Sequence, residues 1–258
     1  MNNIIVGIIG GTHGMGSWFA GLMRKENYTV HVCGRKTPLK MDEMAKLCHV
    51  IVVAVPISVT AEVIKNVGPL LTPDKLLMDL TSLKKEPVDL MLKSSPAEVI
   101  GCHPLFGPNP NELTGQNVIL CPARGTKWLS WIKGVLENNK MVVSQTTPEK
   151  HDKMMAIVQV LNHLNTISLG MALNATGVSL AELDKFSTPI LRTKLDIIEK
   201  VFKENPELYA DIINQNPDTR KMLDIYENTL SDIRRTIESG SGEKLKEALE
   251  RAAKKFFS

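Results

Sequence analysis

The chain has 258 residues, 43% of them hydrophobic and 23% charged, with a formal net charge of +3. That suits a globular protein with a substantial core and is too weakly basic to point to nucleic acid or a membrane surface. Four scattered cysteines without a CxxC pair argue against a disulfide scaffold or a zinc site, so no metal is expected and a reducing, cytoplasmic setting is.

The pattern opens with an apolar strand, Ile4–Ile9, whose run ends at Gly10 and is too short for a signal peptide. The loop Gly10-Gly11-Thr12-His13-Gly14-Met15-Gly16 follows, then a helix over Ser17–Lys25. Strand, glycine-rich turn and helix start, in that order, suit a dinucleotide pyrophosphate. A purely structural turn is the alternative. Aligned on Gly11 and Gly16, the middle glycine of the G-x-G-x-x-G fingerprint is His13. Either Gly14 relieves the crowding or the His13 side chain points outward.

Thr29–Cys33 reads as the second strand, ending in Gly34-Arg35-Lys36-Thr37. An acidic residue there would bind the ribose 2′-hydroxyl of NAD. Arg35 and Lys36 instead suit a 2′-phosphate, so NADP is preferred over NAD, with a solvated basic turn as the plain alternative. Further strands are expected at Val50–Val55, Leu76–Asp79, Val99–Cys102, Asn117–Cys121 and Lys140–Val143. Helices are expected over Met41–Leu47, Val59–Val67 and Pro87–Lys93. Val55 and Pro56, closing the third strand, are expected to flank the cofactor. The alternation implies a mostly parallel sheet with helices on both faces.

Two strand ends carry chemistry. Asp79-Leu80-Thr81-Ser82-Leu83-Lys84 offers hydroxyls and a lysine. Gly101-Cys102-His103-Pro104-Leu105-Phe106-Gly107-Pro108 places a histidine just after an apolar strand, where it can exchange a proton near neutral pH. Ser82 and His103 would share one cleft. No G-x-S-x-G elbow accompanies them, which argues against a hydrolase. A strand-end cap for Ser82 and a buried, hydrogen-bonded His103 are the plain readings.

After Thr147 the strands stop. Thr147-Pro148 reads as a helix start, and four or five helices fit up to Ser258, broken near Gly177, Pro189, Pro206, Pro217 and Gly240. No apolar run of transmembrane length is expected. His163 lies on an amphipathic helix. Arg192 follows a Ser-Thr-Pro helix start among apolar neighbours and calls for an anionic partner, either a structural carboxylate or a substrate.

Taken together, the glycine loop, the segments Asp79–Lys84 and His103–Pro108, and Ser187-Thr188-Pro189-Ile190-Leu191-Arg192 resemble prephenate dehydrogenases. His151-Asp152 and Pro206–Ile212 extend the likeness through nearly the whole chain. It is nearest to the dehydrogenase part of enterobacterial bifunctional proteins, without their chorismate mutase bundle, and to archaeal relatives. The resemblance implies an α/β fold: an N-terminal Rossmann-type dinucleotide-binding domain, residues 1–146, then an all-α C-terminal dimerisation domain, residues 147–258. It implies a homodimer and oxidative decarboxylation of prephenate to 4-hydroxyphenylpyruvate in tyrosine biosynthesis. His103 would accept the proton of the ring hydroxyl and Ser82 would hold His103 or that hydroxyl. Arg192 would bind a substrate carboxylate, with His163 lining the pocket. Arogenate as substrate, another NADP-dependent β-hydroxyacid-type oxidoreductase, and a nucleotide-sensing protein without turnover are the competing expectations.

Overall fold

The structure is a computed structural model that describes residues 4–240 and 242–257. Its first half alternates β1 (Ile5–Ile9), α1 (Gly14–Lys25), β2 (Thr29–Cys33), α2 (Met41–Leu47), β3 (Val50–Val53), α3 (Ile57–Val67), β4 (Leu76–Asp79), α4 (Lys85–Ser94), β5 (Glu98–Pro104), β6 (Asn117–Arg124), α5 (Lys127–Asn138) and β7 (Val142–Gln145). The strands form one sheet in the order β2-β1-β3-β4-β5-β6-β7. Every neighbouring pair is parallel except β5 with β6. The chain runs from β1 to β2 on one side and returns to β3 on the other. That reversal opens a crevice at the carboxyl ends of β1 and β3, where such sheets bind ligands.

Residue parity along the strands sorts the core into two layers. Val6, Ile8, Val50, Val52, Leu76, Met78, Ile100 and Cys102 face α1 and α5, where Phe19, Met23, Trp128 and Ile132 are buried. Ile9, Ile51, Val53, Leu77 and Val99 face α2, α3 and α4, where Met44, Ile64, Val67, Val88 and Met91 are buried. By the same parity Asp79, Gly101 and His103 belong to the α4 side.

Two strand ends at the site differ from the sequence expectation. β5 runs on to Pro104, so His103 lies inside the strand; its antiparallel pairing with β6 continues through His103↔Ile119 and Pro104↔Val118. β3 stops at Val53, which leaves Val55 and Pro56 in the loop before α3. The sequence reading also passes over α5, whose Trp128, Ile132, Val135 and Leu136 complete one face of the sheet.

From Pro148 onward the chain is helical. α6 (Pro148–Met155), a π-helical stretch (Ala156–Leu161) and α7 (Asn162–Ala175) form one continuous rod. α8 (Leu180–Phe186), α9 (Pro189–Glu199) with a second π-helical stretch (Lys200–Glu204), α10 (Pro206–Gln215), α11 (Thr219–Glu238) and α12 (Gly242–Phe256) follow. The breaks have local causes. Gly177 and Gly240 adopt φ of 73° and 68°, and Thr147, Ser179, Thr188 and Asn205 cap the helices that follow them. The rod from Pro148 to Ala175 is, by length and composition alone, long and apolar enough to cross a membrane, which the sequence reading did not expect. Its Ala156 and Val160 instead pack with Ile212 and Met222, and with Ile57 of α3.

Candidate active site

The glycine loop departs from the fingerprint without distortion. His13 is the N-cap of α1 with φ −145°, an extended backbone that any residue adopts, and its exposed imidazole lies 2.9 Å from the Thr12 hydroxyl. The left-handed turn falls on Gly14, φ 55°, where an added Cβ would meet open space. The His13 side chain thus points outward, as one of the two expectations had it. The tight positions are elsewhere. At Gly10, φ 85°, a Cβ would collide with the Ala54 carbonyl oxygen, and at Gly16 it would come within 2.5 Å of the Gly10 oxygen.

These contacts draw β1, the start of α1 and the Ala54–Val55 loop into one crevice. Gly34 closes its other side: its N–H donates to Thr37 Oγ1 at 2.8 Å, and a Cβ there would touch Thr12. Arg35 and Lys36 stand exposed on this turn, and Pro56 is exposed at the start of α3. The twelve-residue α1 has neither a capping side chain nor an acidic residue in its first turn. Its first N–H groups are thus free to meet an anion. An uncapped helix start beside a backbone cradle that Cβ atoms would fill fits a dinucleotide pyrophosphate.

His103 lies three strand spacings from β1 along the same sheet edge, roughly 14 Å away. Only 4% of its surface is exposed. Its Nδ1 is 2.9 Å from Nε2 of His151 on α6, and the rings meet edge to face. His151 Nδ1 is in turn 2.7 Å from Asp152 Oδ1. The Asp152 carboxylate also accepts the backbone N–H of Lys84 at 2.8 Å and of Lys85 at 2.9 Å. Those are the open N–H groups at the start of α4, which has no capping side chain of its own. A residue of the helical half therefore caps a helix of the sheet half. Asn216 donates to the Asp152 carbonyl at 3.0 Å, and Lys85 pairs with Glu149 at 2.7 Å across the same seam.

Lys84 is fully buried and ion-paired with the fully buried Asp79. Its ammonium also donates to the Cys102 carbonyl at 3.0 Å, immediately before His103. Gly101 makes room for this: a Cβ there would press on Lys84 Cδ at 2.9 Å and Val88 at 2.8 Å. Thr81 donates its backbone N–H to Asp79 at 3.0 Å and its hydroxyl to the Leu83 carbonyl at 2.8 Å. Asp79 Oδ1 is left buried without a hydrogen-bond partner. Burial foremost, then the charges of His151 and Lys84, hold the His103 imidazole well below its usual 6.5.

The β4–β5 ladder ends at Asp79↔Gly101, three residues before the half-buried Ser82, and His103 Nδ1 goes to His151 rather than to Ser82. His163 sits about three turns beyond His151 on the rod, its ring 4.7 Å from that of Tyr209, and burial lowers its pKa. Between them Gln159 keeps a buried Oε1 without a partner. Arg192 joins none of these groups within the single chain. It is 59% exposed, with Nε 3.2 Å from Asp184 Oδ1. The sequence reading assigned no role to His151 and Asp152. They entered it only as an adjacent His-Asp pair after a helix cap that extends the family likeness.

The sequence model of the family described as "Prephenate dehydrogenase, nucleotide-binding domain" matches residues 24–145, and that of "Prephenate dehydrogenase, dimerization domain" matches residues 147–251. A probable arogenate/prephenate dehydrogenase of Methanocaldococcus jannaschii is 36% identical over 98% of this chain and 61% of its own length. The T-protein of Haemophilus influenzae is 32% identical over 87% of this chain and 60% of its own length. The chain thus spans about three fifths of the length of these relatives. The fold is that of prephenate dehydrogenase from A. aeolicus, solved in complex with hydroxyphenyl propionate and NAD+, with a TM-score of 0.78 at 21% identity over 99% of this chain and 98% of that one. Two adjoining sequence models of one family take in most of the residues, and the chain belongs to the prephenate dehydrogenase family.

Proposed function

We propose that this protein oxidises and decarboxylates prephenate to 4-hydroxyphenylpyruvate, a step toward tyrosine, and that it prefers NADP+ to NAD+. The observation that carries the reading is His103: a buried imidazole, kept neutral, with Nδ1 engaged and Nε2 left for a ligand. Gly11, Thr12, His13, Gly14, Met15 and Gly16 would hold the pyrophosphate, with Val55 and Pro56 alongside. Arg35 and Lys36 would hold a 2′-phosphate. When bound, the nicotinamide supplies the hydride acceptor.

His103 Nε2 takes the proton of the ring 4-hydroxyl as the C4–H bond breaks and a carbonyl forms. The bond from the ring to its carboxylate then breaks, CO₂ leaves, and its electron pair makes the ring aromatic. The phenol oxygen recovers the proton from His103, so no net proton is released. Ser82, in the loop after β4, would hydrogen-bond the same hydroxyl. Arg192 would bind a substrate carboxylate, with His163 lining that pocket. Its exposed tie to Asp184 is worth only about 0–1 kcal/mol, so a dianionic ligand displaces it readily.

The domain division at 146/147 and a homodimer through the helical half complete the proposal. Supporting the dimer, Met171, Leu180, Phe186, Ile190 and Leu249 leave more than half of their surface exposed in the single chain. The test mixes purified protein with prephenate or arogenate and with NADP+ or NAD+, and follows the absorbance of the reduced nicotinamide. Turnover with prephenate and NADP+ at the highest kcat/KM is expected. Silence in all four mixtures overturns the proposal, and turnover with arogenate alone moves the substrate to the amino analogue.

A further inference from the structure

We infer that Asp152 and His151 are positioning residues that set His103 as a base by fixing its tautomer. The inference rests on the proposed reaction for its purpose but on geometry alone for its existence. The Asp152 carboxylate has only acceptors to offer. Two backbone N–H groups at the start of α4 hold it in place at 2.8 and 2.9 Å. The contact of 2.7 Å with His151 Nδ1 must therefore carry the proton on the histidine. With His151 neutral, its Nε2 then holds the lone pair, and the contact of 2.9 Å with His103 requires a proton on His103 Nδ1. His103 Nε2 is thereby left with a lone pair. One anchored carboxylate decides the protonation of two rings in succession.

The arrangement also answers a difficulty of burial. A histidine so enclosed accepts a proton reluctantly, since the charge has little water around it. Once Nε2 is protonated, the Nδ1 proton can pass to His151 Nε2, which places the positive charge next to Asp152. The charged groups that face this pair are Asp152 on α6 and Lys84 and Asp79 on the β4 side. Among the described residues, only the Asp152 carboxylate touches the relay directly. Lys84 serves as its strut: its backbone N–H holds Asp152, and its ammonium holds the Cys102 carbonyl next to His103. Returning the proton to the phenol oxygen reverses each transfer.

Selective ¹⁵N labelling of the histidines separates this role from a merely structural one. In the free wild-type protein at pH 8, His103 should show a protonated Nδ1 and an unprotonated Nε2, the His103 signals being assigned by their loss in His103→Asn. In Asp152→Asn and in His151→Gln the His103 tautomer should become mixed or reversed. His151→Gln leaves the Asp152 cap of α4 in place and carries the test if Asp152→Asn fails to fold. A protonated Nε2 in the wild type, or an unchanged His103 tautomer in the folded variant, overturns the inference. In turnover, both variants should lower kcat roughly tenfold or more with KM within about twofold. The resonance measurement needs no substrate, so a failed relay and a failed choice of substrate give different results.

Discussion

The proposed base, His103, could act only while neutral, and burial keeps it neutral to lower pH than a free histidine. kcat/KM is therefore expected to stay level as pH falls to 6.5 and to decline only below it; a decline centred above 6.5 would contradict the base assignment. Stability follows the same sign. The unfolded chain protonates His103 near 6.5 while the folded chain resists, so its contribution is complete above 6.5 and is lost as pH falls toward the lower folded value. Thermal melts should show His103→Asn declining less steeply than the wild type across that window. His103→Asn should also reduce kcat by about 100-fold or more with little change in KM, whereas Arg192→Gln should chiefly raise KM. Lys84→Met would leave the Asp79 carboxylate buried without its cation, and urea titration should show a loss of about 3–5 kcal/mol.

Among the elements, the glycine loop separates conformational need from steric need. Gly14→Ala meets open space and faces only its positive φ, which costs about 1–2 kcal/mol. Gly10→Ala meets the same penalty and the Ala54 carbonyl as well, so it should be clearly the more destabilising of the two by chemical denaturation. Equal losses would show that the loop relaxes. The loop was legible in the sequence because its meaning is local: strand, turn and helix start are neighbours in the chain. His13 looked anomalous because a fingerprint reads position and not dihedral angle. α5 escaped notice because its significance lies in the sheet face it covers. The end of β5 was placed too early because pairing with β6, after a long loop, extends it.

For the whole molecule, the exposed apolar residues of the helical half predict a dimer, and light scattering on the eluting protein should give twice the chain mass of 28.5 kDa. A monomer at micromolar concentration would contradict this. Dimerisation would also change what surrounds Arg192, whose side chain meets only Asp184 among the described residues of the single chain. Joining the two halves, by contrast, is already explicit within one chain. Asp152 caps α4, Asn216 holds the Asp152 carbonyl, Lys85 pairs with Glu149, and Ile57 enters the helical core. The proposed proton relay and the docking of the two halves therefore share the same carboxylate.

The amino-acid sequence by itself determined the order of the strands and of most helices between them, the switch to helices after Thr147, the candidate dinucleotide loop and the candidacy of His103. Each of these is written in short-range periodicity, turn residues or motif spacing. Only the tertiary structure decided what His103 touches. His151 lies 48 positions later and Lys84 lies 18 positions away from Cys102, and separations of that kind leave no periodic trace. It also decided that the Nδ1 partner is His151 and not Ser82, because that choice depends on how α6 seats against α4, a packing event between halves that local sequence does not encode.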